Sequence, residues 1–202
     1  GPINGHDLDE VIHTLDNIKD IKAPVLLHVV TKKGKGMVSV DNKTGEYHND
    51  ALKYHAVKPN GSELPEQVEN KIKKESAPIF QNVFGTLACE VARNRKDIVC
   101  ITAAMKEGTG LSSYAKEFSD RYYDVGIAEG HGVTFAAGLA TEGIRPITAI
   151  YSTFLQRAYD HIIHDVALQH LPVVFCMDRA GIAGEDGPTH HGALDLAYLR
   201  CI

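Results

Sequence analysis

Between Ile79 and Met177 the sequence alternates strand-sized apolar runs with stretches of helical periodicity, and that alternation leaves few folds open. Residues 98–102, 146–151 and 171–177 read as strands with largely apolar runs, and residues 122–125 as a further short strand. A strand without polar alternation is covered on both faces. The intervening residues 79–92 place Val83, Leu87 and Val91 on one helical face, residues 111–118 read as a short helix, residues 129–141 as an alanine-rich helix and residues 153–169 as a longer one. Strands joined through helices by short connections pair in parallel, so the expected fold is α/β, a doubly wound parallel sheet with helices on both faces. Ligands of such sheets bind beyond the carboxyl ends of the strands. The residues just after Val125, Ile150 and Met177 are therefore where chemistry belongs.

The first 36 residues have a different organisation. Asp7 is placed to cap a helix, with Glu10 completing a capping box and Leu8, Val11, Ile12, Leu15 and Ile18 recurring at helical spacing up to Ala23-Pro24. Residues 25–30 then read as a strand buried on both faces, making a second, partial α/β unit over residues 1–36. Residues 37–77 are polar and lysine-rich, carry Pro59 and Pro65, and lack sustained periodicity, which reads as a linker to an α/β domain over residues 78–202. The formal charge of −5 provides no basic footprint for nucleic acid. No apolar run approaches the length of about 18 residues that a membrane span needs. Four scattered cysteines without a Cys-x-x-Cys pair, and an opening Gly1-Pro2-Ile3-Asn4-Gly5 that lacks leader character, fit a soluble cytoplasmic protein.

Several residues stand where chemistry is expected, each with a plainer alternative. Glu129 opens a helix after Asp124-Val125-Gly126, as a first-turn acid favoured by the helix dipole does; apolar neighbours on both sides would also desolvate it and favour its protonated form. Tyr151, Phe154 and Arg157 follow a strand, and an aromatic three residues before a guanidinium on one helix face can hold a planar heterocycle or simply fill the core. The loop from Asp178 to His191 combines Arg179, Asp186, His190 and three glycines, more polar density than a surface turn needs. Lys33, in Lys32-Lys33-Gly34-Lys35-Gly36, can meet an anion or stand solvated. His161, His164 and Asp165, with His190-His191, invite a metal reading, but the helix lacks His-Glu-x-x-His and a polar helix face explains it as well.

Taken together, Asp124-Val125-Gly126-Ile127-Ala128-Glu129, the run from Tyr151 to Asp160 and the loop from Asp178 to His190 closely resemble the 1-deoxy-D-xylulose-5-phosphate synthase family, a thiamine-diphosphate-dependent, transketolase-like group. Gly1 to Asp7, the Lys33 turn, Tyr54-His55-Ala56-Val57 and Tyr198 to Ile202 resemble the same family, and only residues 37–77 match weakly. The resemblance implies that pyruvate is decarboxylated and its two-carbon unit joined to D-glyceraldehyde 3-phosphate, the first step toward non-mevalonate isoprenoid precursors. It implies Glu129, His55 and His190 as catalytic groups, Glu129 hydrogen-bonding the pyrimidine nitrogen of the cofactor. It implies Phe154 stacking on that ring with Ile127 and Arg157 completing the pocket, Lys33 near the diphosphate, and Tyr151, Arg179 and Asp186 facing substrate. It further implies a homodimer, located in the cytoplasm or a plastid stroma. Mg2+ is implied too, its ligands expected in a Gly-Asp-Gly…Asn segment before Gly1, with a third domain expected after Ile202.

The chain departs from the family at Gly130 and Gly132, where larger residues are usual and where two glycines weaken a helix by up to about 1 kcal/mol each. His191 replaces a usual glutamine and Ala103 a usual proline. Alternatives to the synthase reading are a transketolase or dehydrogenase E1 component, which would share Glu129 but not the Asp178–His190 loop, and a non-catalytic assembly module. The 202-residue polypeptide alone, supplied with cofactor and both substrates, is expected to form no detectable product, as coupled product analysis would test.

Overall fold

The computed structural model describes residues 1–32, 35, 39–40, 47–48 and 77–202. Lys33 and His55, and most of the expected linker, lie outside the described residues. The chain divides into two compact units, Gly1–Lys74 and Glu75–Ile202.

In the first unit, β1 (Ile3–Asn4) pairs in parallel with β2 (Val29–Val30), joined through α1 (Leu8–Ile18). Asp7 caps α1 as expected, its Oδ1 accepting from the Glu10 N–H at 3.0 Å. The reciprocal half of the capping box goes elsewhere: Glu10 Oε2 accepts from the Asn4 N–H at 3.3 Å. The strand expected over residues 25–30 shrinks to Val29–Val30 and is exposed, because ladder pairing extends no further than the two residues of β1. Within the stretch expected to be linker, β3 (Ser39–Val40) and β4 (Tyr47–His48) form a short antiparallel ladder.

The second unit follows the expected plan. β5 (Ile98–Thr102), β6 (Tyr122–Asp124), β7 (Arg145–Tyr151) and β8 (Val174–Asp178) form one parallel sheet in the order β6-β5-β7-β8. The pleat sends successive side chains to opposite faces, and the core divides accordingly. Cys100 and Ala149 join Ala88, Cys89 and Ala92 of α2 (Phe80–Asn94) and Tyr114 of α3 (Ser112–Glu117). Ala103 and Ile150 lie with Val133 and Ala137 of α4 (Glu129–Thr141) on the other face. Strand order reverses between β5 and β7, the switch point at which such sheets open a crevice.

The long helix expected over residues 153–169 is instead a broken helical segment. It runs through α5 (Ser152–Leu155), a 3-10 turn (Gln156–Ala158), α6 (Tyr159–His161) and a π turn (Ile162–Ala167). The changes of pitch keep Leu155, Ala158, Ile162 and Val166 buried together. β8 begins at Val174 because Leu171 and Val173 still turn back, their N–H groups donating to Val166 and Leu171 carbonyls. The glycines of α4 do not break it. His161 fills the space beside Gly130, where a Cβ would stand 2.8 Å from the ring Cε1. No described helix is long and apolar enough to cross a membrane.

Cys100 is fully buried, and burial pushes its thiol up to about 12. Exposed Cys201 is therefore expected to react first with iodoacetamide at pH 8, and Cys100 only on unfolding, as peptide mapping would read. A thiol whose folded pKa is raised leaves stability intact below its unfolded value near 8.5 and costs stability as pH climbs above it. The denaturation midpoint should accordingly fall between pH 8.5 and 10, and Cys100→Ala should flatten that fall.

Candidate active site

The strand ends of the second unit bring most of the expected residues to one rim. At the exit of β6, Asp124 Oδ1 accepts from the N–H groups of Ala104 at 2.8 Å and Gly126 at 3.0 Å, tying the ends of β5 and β6 together. Three residues beyond Gly126, Glu129 is the first residue of α4 and only 3% exposed. Burying a carboxylate is expensive unless it is paired. Arg157 supplies the pair, its Nη1 2.6 Å from Glu129 Oε1, while its own side chain stays 55% exposed. Among the described residues, hydrogen bonds engage Oε1 only.

Arg157 continues into an aromatic row. Its guanidinium carbon lies 5.0 Å from the Phe154 ring centre, and Phe154 stacks on Tyr151 at 5.8 Å with an interplanar angle of 13°. The Arg179 guanidinium lies 4.4 Å over the Tyr151 ring. Two stacked aromatics are thus bracketed by two cations, an arrangement in which each ring quadrupole attracts a guanidinium. His190 meets both rings edge-on, 5.3 Å from Phe154 and 6.2 Å from Tyr151. Thr189 Oγ1 stands 2.9 Å from His190 Nδ1, and among the described residues no hydrogen bond engages Nε2.

Arg179 is the most heavily anchored cation of the rim. Its Nε donates to Asp186 Oδ2 at 2.9 Å, and its Nη1 to Asp178 Oδ1 at 2.7 Å, Gln81 Oε1 at 2.6 Å and the Gly108 carbonyl at 2.7 Å. Its backbone is left-handed, with φ +57°, a conformation that costs a non-glycine residue free energy. Asp178 offsets this by accepting from the Arg179 N–H at 2.8 Å. Burial opposes the charge of Arg179, but the hydrogen-bonded Asp178 and Asp186 carboxylates raise its pKa above the ordinary arginine value. Burial also raises Tyr151, with Arg179 pulling the other way.

The structure thus gathers Glu129, Arg157, Phe154, Tyr151, Arg179, Asp186 and His190. Ile127 is 81% exposed beside Glu129 rather than enclosed. His161, His164 and Asp165 serve the helix face: Asp165 Oδ2 accepts from the Thr134 hydroxyl at 2.5 Å. Among the described residues no group of three or more His, Cys, Asp or Glu could hold a metal ion. Sequence reasoning missed Gln81, far from the site along the chain, and Gly108, in a loop without a motif. His191, read from the sequence as a loop residue, a metal candidate and a departure from the family, has a structural role instead: its Nδ1 accepts from the Ala183 N–H at 3.0 Å and pins the loop.

Comparison with known proteins narrows the reading. Residues 77–202 match the family model described as transketolase, pyrimidine binding domain. The chain belongs to the transketolase pyrimidine-binding-domain family. Residues 1–31 match a second model, described as 1-deoxy-D-xylulose-5-phosphate synthase. Proteins named 1-deoxy-D-xylulose-5-phosphate synthase are 56% identical in Aquifex aeolicus and 53% identical in Nitrosomonas europaea, both over the whole of this chain. This chain spans 30% and 31% of their lengths. Among solved structures, a split-gene transketolase described as an inactive β4 tetramer is 29% identical, with a TM-score of 0.53 over 60% of this chain and 39% of that one. A Campylobacter jejuni transketolase, 20% identical with a TM-score of 0.55 over 67% of this chain and 24% of its own, shares the fold. In this pyrimidine-binding domain the glutamate at the start of α4 and the aromatic row after β7 lie along one rim.

A Cβ on Gly108 would overlap the Tyr151 hydroxyl. Gly108→Ala is expected to destabilise the domain by about 1–3 kcal/mol, the usual cost of overpacking. Combining it with Tyr151→Phe should recover part of that loss in urea denaturation.

Proposed function

We propose that the native polypeptide carrying this segment is a thiamine-diphosphate-dependent 1-deoxy-D-xylulose-5-phosphate synthase, joining the two-carbon unit of pyruvate to D-glyceraldehyde 3-phosphate. The observation that carries the proposal is Glu129: a 3%-exposed carboxylate at a helix start, with one oxygen paired to Arg157 and the other without a hydrogen bond among the described residues. That donor set fits a heterocycle whose ring nitrogen must be held in a hydrogen bond. Thiamine diphosphate, when bound, supplies the electron sink that decarboxylation of a 2-oxo acid requires.

The chain's own residues do the rest. Glu129 holds the proton at the pyrimidine nitrogen, and Arg157 keeps the carboxylate aligned so that Oε2 is the oxygen offered. Phe154, Ile127 and Arg157 provide the ring's pocket. Arg179 and Tyr151 receive the triose phosphate, a guanidinium being suited to phosphate through parallel N–H donors. Asp186 keeps Arg179 in place. His190, with Nδ1 engaged by Thr189, offers Nε2 to move a proton on the reacting carbonyl. The enzyme works with Mg2+, as a homodimer in the cytoplasm. The identity of 51–56% to proteins of that name over the whole chain supports this reading over other transketolase-like activities.

Glu129→Gln keeps the shape and removes the carboxylate. In the native polypeptide it is expected to lower kcat by about 100-fold or more, the range for losing a positioned acid–base group. The circular dichroism spectrum should not change. Turnover within a few-fold of the parent enzyme would refute the proposal.

A further inference from the structure

Arg179 is held from an unexpected direction. Gln81 lies in the first turn of α2, 98 residues earlier in the chain, yet its Oε1 accepts from Arg179 Nη1 at 2.6 Å. The same nitrogen donates to the Gly108 carbonyl and to Asp178 Oδ1, and Nε to Asp186. Three acceptors on Nη1 and one on Nε set the plane of the guanidinium. Among the described residues, no hydrogen bond engages Nη2. The clamp therefore leaves one edge of the cation to a ligand.

Gln81 is not placed by chance of rotamer. The backbone of α2 touches the loop that carries Gly108: Gly110 has φ +76°, and a Cβ there would overlap the Gln81 carbonyl. A Cβ on Gly85, one turn along α2, would overlap the Gly110 carbonyl. Two glycine contacts thus fix the start of α2 against this loop, and Gln81 extends from that fixed turn to Arg179. Gln81, Asp178 and Thr109 also line one cavity of about 220 Å³ beside the clamp, with Phe80, Phe84 and Met177.

We propose that Gln81 is a positioning residue that orients Arg179 for the phosphate of the aldehyde substrate. The amide suits this task chemically: it supplies an acceptor without adding a third carboxylate to Asp178 and Asp186, which would weaken attraction for an anion. The inference rests on the substrate reading above, in which Arg179 meets the triose phosphate.

The test is steady-state kinetics of the native polypeptide, varying each substrate in turn. Gln81→Met keeps the length of the side chain and removes the acceptor. It is expected to raise KM for D-glyceraldehyde 3-phosphate about tenfold, the scale of one hydrogen bond to a charged group. KM for pyruvate should stay within about twofold and kcat within about threefold. Gln81→Glu keeps the acceptor but adds the third carboxylate, so it should raise that KM as well, by an amount that shrinks with added salt, whereas the Gln81→Met rise should not. In an Arg179→Leu background Gln81→Met should add nothing. A KM for the triose phosphate within twofold of the parent would overturn the proposal, as would equal rises in both KM values with a lowered melting temperature. If Gln81→Met does not fold, Gln81→Ala serves under the same criteria. Arg179→Leu separates the two readings. If it leaves the triose phosphate KM unmoved, the substrate assignment fails and the role of Gln81 with it; if it raises that KM while Gln81→Met does not, only the role of Gln81 fails.

Discussion

The parallel pairing of β5 with β7, buried on both faces, is the constraint on which the second unit depends. Five residues of β5 are covered by helices on either side, so the ladder excludes water along its length. Because β6 and β8 attach on opposite sides of this pair, the chain must cross the sheet in both directions, and a crevice opens at the strand ends. The side chains assigned to the rim sit on those ends or on the segments that leave them, His190 twelve residues past the end of β8, apart from the contributions of α2. The sheet performs no chemistry itself; it fixes the distances between residues that do.

At the rim the dominant physics is the management of buried charge. Glu129 and Arg179 are both partly removed from water, and each is held by countercharge, not solvent. The difference lies in saturation. Among the described residues Glu129 has a single partner and one oxygen uncommitted, whereas Arg179 is clamped by acceptors from three separate parts of the chain. Between them stand Tyr151 and Phe154, stacked and capped by the two guanidinium groups. Such a row is rigid, because moving one member disturbs two cation–ring contacts and a hydrogen-bonded clamp at once. Gly130, a weakness in a helix considered by itself, gives His161 the room to close the packing behind Glu129.

Much of this was legible in the residues. The strand of residues 98–102 and the helix of residues 129–141 appear at their expected bounds, since a continuous apolar run and an alanine-rich stretch need no distant partner to be recognised. Errors arose where a tertiary contact overrules local pattern. Residues 152–167 share one apolar periodicity but change pitch three times to keep four side chains in a single core. Residues 25–30 have a buried strand's composition, but their ladder stops where its two-residue partner stops.

The amino-acid sequence by itself determined the class of fold, the positions of the strand ends, and the presence there of an acid, two aromatics, two guanidiniums and a histidine. These follow from side-chain size, polarity and spacing, which act over a few residues. Only the tertiary structure decided which groups pair: that Arg157 neutralises Glu129, and that Gln81 and Gly108 anchor Arg179. Those pairings depend on the crossing of elements tens of residues apart, and on glycines whose missing side chains let backbones approach. Periodicity carries no record of either.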